Sequence, residues 1–123
     1  MTEIQNSKHY DLEERTASFA KRCRDYVKKL PRTLSNIEYG KQFIRSSGSV
    51  AANYIEANES LSRRDFFMRI KICRKEAKES RLWMNLSEPL KENERERDYL
   101  ITEATELMKI FGAILEKQKQ KTV

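Results

Sequence analysis

At 123 residues the chain has the length of one domain, enough to bury roughly two-thirds of its unfolded surface in one core without disulfides or metals. Only 3 Gly and 2 Pro leave little material for turns, and with 36% charged against 38% hydrophobic residues the composition excludes an all-β fold or a dinucleotide-binding sheet and favours long amphipathic helices. The 25 Lys and Arg outnumber 19 Asp and Glu, for a formal charge of +6.

In chain order, apolar spacing predicts four helices over about 11–30, 35–58, 62–88 and 95–117 of a single domain 1–123. The first opens at Asp11 as N-cap, with Glu13 and Glu14 in its first turn. Leu12, Thr16, Phe19, Ala20, Cys23, Val27 and Leu30 form its inner stripe, and Pro31 ends it.

The second helix, from Ser35 or Asn36 to Asn58, is assigned a stripe of Ile37, Gly40, Ile44, Gly48, Ala51 and Ile55. Its middle, Ser46-Ser47-Gly48-Ser49 followed by Ala51-Ala52, has almost no side-chain bulk. Such a run also resembles a turn, but the apolar period on both sides favours one continuous helix. Small residues there suit a backbone lying close to a neighbour, which would offset the helix cost of Gly.

The third begins at Ser62 with Asp65 three residues on, a variant of the capping box. Phe66, Ile70, Cys73, Ala77, Ser80 and Met84 face inward. Phe67, Met68, Ile72, Leu82, Trp83 and Leu86 widen the apolar face beyond one seam, which places this helix centrally or against another subunit. The fourth follows a charged link, Lys91 to Arg97, and carries Leu100, Ile101, Ala104, Leu107, Met108, Phe111, Ile114 and Leu115 on one face. The tail from Glu116 to Val123 is expected to fray. Short connections make the expected fold an all-α, antiparallel up-down-up-down four-helix bundle.

The positive charge is not spread evenly: residues 61–90 hold +4 of the +6. Arg63, Arg64, Arg69, Lys71, Arg74, Lys75, Lys78 and Arg81 crowd the third helix. The i, i+4 pairs Lys71–Lys75 and Arg74–Lys78 are like-charged, which a purely structural helix avoids. These eight, with Lys41 and Arg45, are the candidates for contact with a phosphate backbone. A solvated helix face or an acidic protein partner is the competing reading.

Little catalytic chemistry is legible. The sole histidine, His9, is placed before the first helix, so the Glu-x-x-His pairs of a di-iron bundle cannot form. Three scattered glycines build no phosphate loop, and no Ser/His or Cys/His pair suggests a nucleophile. No catalytic residue, metal or cofactor is expected. If Asn53 and Glu56 lie on an interface, they are expected to join polar networks with Arg45 or Arg74 that specify packing. Cys23 and Cys73 fit no CxxC pattern and sit on apolar faces, which favours a reduced, cytoplasmic protein. Met1 to Tyr10 lacks the apolar core of a signal peptide, and the longest uncharged run, Ser46 to Ile55, is half a membrane span, so no membrane partner is expected.

From Arg45 to Leu86 the chain resembles a known family. Arg45-Ser46, Ser49-Val50-Ala51-Ala52-Asn53 and Glu56-Ala57, then Ser62, Asp65-Phe66 and Glu76-Ala77-Lys78-Glu79, are similar to the signature of the small bacterial four-helix-bundle proteins, also called the 23S ribosomal RNA intervening-sequence protein family. Leu30-Pro31 fits the family's first turn, and the likeness covers roughly residues 10–117. The chain departs from it at Tyr54-Ile55-Glu56-Ala57, where the family commonly has Ala-Glu-Gly.

The resemblance implies a bundle that assembles into a ring, a homopentamer in relatives. It also implies packing or assembly roles for Arg45, Ser46, Ser49, Asn53, Glu56, Asp65, Glu76 and Glu79. Some relatives are encoded within ribosomal RNA genes, and a distant group of accessory proteins of diversity-generating retroelements is thought to bind nucleic acid and a reverse transcriptase. The functional expectation is a non-enzymatic homo-oligomer that contacts RNA or DNA through the third helix. The alternative is a scaffold for a protein partner.

Overall fold

The computed structural model describes residues 2–121. Four long helices account for nearly all of it: α1 (Thr2–Lys28), α2 (Leu34–Asn58), α3 (Arg63–Leu86) and α4 (Glu94–Lys121), with one 3-10 turn (Lys91–Asn93) leading into α4. The described residues contain no strand. The run Ser46–Ser49 is helical, continuous with the rest of α2.

Two boundaries differ from expectation. α1 starts at Thr2, so Asp11 lies inside the helix and does not cap it, and His9 falls within the helix as well. Nothing between Thr2 and Tyr10 is a Gly or Pro, so no residue stops the helix from propagating upstream. The side chains of Asp11 and His9 lie outside the described residues. At the other end α4 stays helical to Lys121, where fraying was expected from Glu116; Thr122 and Val123 lie outside the described residues. α2 and α3 begin one residue after Thr33 and Ser62, whose hydroxyls accept from the backbone N–H of Asn36 (3.2 Å) and Asp65 (3.0 Å). At Ser62 only this half of the capping box forms.

The core runs the length of the bundle through Phe19, Phe43, Ile70, Met84, Leu100, Leu107 and Phe111, all with less than 2% exposure. In α1, α3 and α4 the predicted stripes supply most of it. α1 adds Tyr26, which the reading omitted; its hydroxyl pairs with Ser87 Oγ at 2.7 Å and its ring meets Phe43 edge-on at 6.1 Å.

α2 is the exception, because its stripe is rotated relative to the one predicted. Asn36, Gly40, Phe43, Ser46, Ser47, Val50, Tyr54 and Ala57 face inward, while Ile44 and Ile55 are 46% and 47% exposed. Both stripes have helical spacing, and the observed one wins for two reasons. Burying Phe43 and Tyr54 removes more apolar area than burying two isoleucines. The serines that share their face cost little there, because Ser46 bonds back to Phe43 O (3.3 Å) and pairs with Ser80 Oγ at 2.7 Å.

The small residues therefore act elsewhere than expected. Ser46 and Ser80 let α2 approach α3. Gly40 lets α2 approach α1, since a Cβ there would stand 2.9 Å from Val27 Cγ1. Gly48 meets nothing: a Cβ added to it has no neighbour within 4 Å. Opposite signs follow for one substitution at two sites. Gly48→Ala is expected to stabilise the monomer by about 1 kcal/mol through helix propensity. Gly40→Ala is expected to destabilise it, because overpacking of about 1–3 kcal/mol against a β-branched neighbour exceeds that gain. Urea unfolding of the two variants at low protein concentration checks both.

The helices are tied at one end by Asn36, whose amide donates to Pro31 O (2.9 Å) and Glu88 O (3.0 Å) and accepts from Glu88 N–H (2.9 Å). That single buried side chain joins the α1–α2 link to the segment after α3. The α1–α4 seam is closed differently. Arg15 grips Glu103 through two hydrogen bonds of 2.7 and 2.9 Å, and Arg22 grips Glu96 at 3.0 and 2.8 Å with its guanidinium 3.8 Å over the Tyr99 ring. The arginines are seven residues apart, and so are the glutamates.

No helix among the described residues is long and apolar enough to cross a membrane.

Candidate nucleic-acid interface

The fold sorts the ten candidate cations into three groups. Arg64, Lys71, Arg74, Lys75 and Lys78 are exposed and make no hydrogen bond or ion pair with any described residue. At 100° per residue they occupy roughly 100° of the α3 circumference and extend over about 21 Å of its axis. Their side chains point away from the buried line of Ile70, Cys73, Ala77 and Met84. Core packing sets this orientation, so like charges sit side by side on the free face.

A second group lies at the edges of α3 and is engaged. Arg69 donates to Asn53 Oδ1 on α2 (2.9 Å). Arg81 donates to Thr105 Oγ1 on α4 (3.0 Å). Arg63 stacks 4.8 Å over Phe67 and reaches Lys117 O at 3.5 Å.

The third group is on α2. Arg45 Nη2 lies 3.1 Å from Glu79 and 3.5 Å from Glu76, and Lys41 lies 3.5 Å from Glu38. Neither adds a free charge to the α3 stripe.

Six of the eight residues singled out by family resemblance lie at the seam between α2 and α3. Ser46 meets Ser80. Asn53 Nδ2 donates to the backbone O and hydroxyl of Ser49 (2.9 and 3.0 Å) while its Oδ1 accepts from Arg69. Arg45 bridges Glu76 and Glu79. The network expected for Asn53 and Glu56 with Arg45 or Arg74 is not the one that forms: Asn53 pairs with Arg69, Arg45 pairs with Glu76 and Glu79, and Arg74 is exposed. Glu56 and Asp65 are exposed and outside it. Glu76 is 6% exposed, and its Oε1 accepts no hydrogen bond, with only the Arg45 guanidinium nearby to balance its charge. Trp83, stacked on Tyr39 at 6.0 Å, leaves its Nε1–H unpaired on the same face.

Sequence reasoning missed this tryptophan contact and the Arg15–Glu103 and Arg22–Glu96 clasp. The second left a signal, because the two arginines and the two glutamates repeat at the same interval of seven, two helical turns.

Reactive groups are held quiet by their surroundings. Burial pushes the Cys73 thiol up to about 12 and raises that of Cys23 further, so neither is a thiolate at neutral pH. Among the described residues no group of three or more His, Cys, Asp or Glu is arranged to hold a metal ion. Burial also raises the phenols of Tyr26 and Tyr54. For all four groups the folded state holds its proton more tightly than the unfolded chain. Their contribution to stability is complete below the unfolded thiol value of about 8.5 and falls as pH climbs toward the folded values. The urea midpoint is expected to be flat from pH 7 to 8 and to drop by pH 10.5.

The family profile described as 23S rRNA-intervening sequence protein matches residues 8–113. The chain belongs to that family. One solved structure is similar over most of the chain: the crystal structure of a protein of unknown function from the S23 ribosomal protein family of Bacteroides thetaiotaomicron VPI-5482. It shares 29% identity with the chain over 85% of this chain and 97% of its own length, with a TM-score of 0.72. No curated protein matches the chain. The family match bears out the resemblance read from Arg45 to Leu86.

Proposed function

We propose that this member of the 23S rRNA-intervening sequence protein family is a non-enzymatic, homo-oligomeric up-down-up-down bundle that binds nucleic-acid backbone through α3. The observation that carries the reading is the stripe Arg64, Lys71, Arg74, Lys75 and Lys78, five exposed cations with no partner among the described residues. A helix does not hold like charges together for its own stability. Phosphates spaced along a strand are the ligand that such a line of point charges fits. RNA is favoured by the family's description, which names 23S rRNA, and by the ribosomal family name of its solved neighbour.

The up-down order is supported by the side-chain pairs that cross each seam. Between α2 and α3, Ser46 pairs with Ser80 and Asn53 with Arg69; between α1 and α4, Arg15 pairs with Glu103 and Arg22 with Glu96. In both cases one number rises as the other falls. A ring of five is what the family resemblance implies, and at +6 per chain it would repeat the stripe around its circumference. A cytoplasmic setting agrees with two buried, unpaired cysteines. Non-enzymatic action agrees with carboxylates Glu76 and Glu79 being occupied by Arg45.

The test is RNA and DNA binding across a salt series. Affinity is expected to fall linearly in log–log form, with a slope set by several phosphates; no binding at 50 mM salt overturns the reading. A protein-interaction scaffold is the second reading, favoured by Met68, Leu82 and Leu86, which are 52%, 49% and 43% exposed beside the cations. A partner retained from native lysate after nuclease treatment, with no binding of purified RNA or DNA, would favour it.

A further inference from the structure

The outer face of α1 and α2 has features that the bundle itself does not use. Ile44 and Ile55, 46% and 47% exposed, stand on one side of α2 about three turns apart. Gly48 and Ala52 between them are also exposed, and no described residue beyond the local turn of α2 comes within 4 Å of where a Gly48 Cβ would be. Across the groove Ala17 and Ala20 of α1 line the same depression.

Charge is segregated along this face. At the end near the α1–α2 link stand Arg24, Arg32 and Lys41, all exposed, partly balanced by Asp25 and Glu38. At the opposite end stand Glu14, Glu56 and Glu59, also exposed. The one cation of α1 within residues 12–20, Arg15, is turned to Glu103, and α2 has none within residues 49–58. The face is therefore basic at one end and acidic at the other, with an apolar strip of α2 between them and the exposed Lys21 of α1 lining the same depression.

A surface of that kind is complementary to itself turned end for end. We infer that a second copy of this chain docks on it, α2 against α2 in antiparallel, about a two-fold axis near residue 50. Under that axis Lys41 meets the partner's Glu59, Ile44 meets the partner's Ile55, and Gly48 meets the partner's Ala52. Each pair occurs twice, as an isologous contact requires. The numbers of each pair sum to 99 or 100, so one register satisfies the charges, the isoleucines and the small residues together. The small pair at the centre lets the two backbones approach closely. The inference rests on the proposed self-association and adds a symmetry to it: a two-fold contact makes dimers, or joins rings in pairs, whereas a cyclic ring of five alone uses none.

Native mass spectrometry of the full chain separates the two statements. Particles of two or ten chains support the two-fold contact, and two chains overturn the ring. Five chains keep the ring and overturn this contact; a single chain at micromolar concentration overturns both.

A charge swap then tests the register. Lys41→Glu and Glu59→Lys are each expected to raise the dissociation constant about tenfold or more, and the double variant to restore most of it. Failure of the double variant to recover overturns the antiparallel register. Ile44→Glu is expected to abolish the contact with the urea midpoint of the monomer little changed, since the side chain is half exposed in the single chain.

Discussion

Replacing Arg64, Lys71, Arg74, Lys75 and Lys78 together with glutamine is expected to lower nucleic-acid affinity about a thousandfold at 0.15 M salt. The size follows from counterion release: each neutralised phosphate contributes about 0.9 to the log–log salt slope, and five contacts give a slope near −4.5. All five are exposed and without partners among the described residues, so their loss is expected to leave the fold intact and to remove like-charge crowding on α3. Arg69→Gln and Arg81→Gln serve as the contrast. Those guanidiniums already serve Asn53 and Thr105, and the slope is expected to change by less than about one unit for either. Equal losses from the two sets would mean that charge in general, and not this stripe, governs binding.

The largest effect on stability is expected at Phe43. It is 1% exposed and packed edge-on against Tyr26, so Phe43→Ala removes a ring from the centre of the bundle at a cost of about 3–5 kcal/mol. A chain of this size has about 6–18 kcal/mol in total, and the variant is expected to be partly unfolded near 37 °C. Ile44→Ala, one position along, is expected to stay within about 0.5 kcal/mol in dilute monomer. Thermal unfolding of both variants reads the rotation of α2 directly. Equal costs would place Ile44 in the core, where the sequence pattern alone puts it.

That pair of neighbours also shows where a sequence is legible. Four helices, their order and most of the core of α1, α3 and α4 follow from apolar spacing, because in those segments only one stripe is bulky enough to pack. In α2 two stripes overlap, one of isoleucines and small residues and one of aromatics and serines. Period alone cannot choose between them, since both repeat at 3.6 residues. What decides is invisible to hydropathy: a serine pays little on the inner face when its hydroxyl finds a carbonyl or another hydroxyl, as Ser46 does with Phe43 and Ser80.

The candidate interface was legible in the same partial way. The excess charge of residues 61–90 locates α3, but only the folded bundle separates the five free cations from Arg63, Arg69 and Arg81. Seam partners such as Asn53 for Arg69 are set by helix rotation and register, which a single sequence does not display. The upstream extension of α1 escaped because Asp11 offers a plausible cap, while the absence of any breaker before it carries no positive signal.

The clasp between α1 and α4 gives the bundle an uneven temper. On its α2 side α1 is held by Tyr26 against Phe43 and by the tight passage at Gly40. On its α4 side the outer rim is held by two arginine–glutamate forks, contacts that salt weakens and water can replace. α1 is therefore expected to be the helix whose amides exchange earliest with solvent, which hydrogen exchange followed helix by helix would read directly.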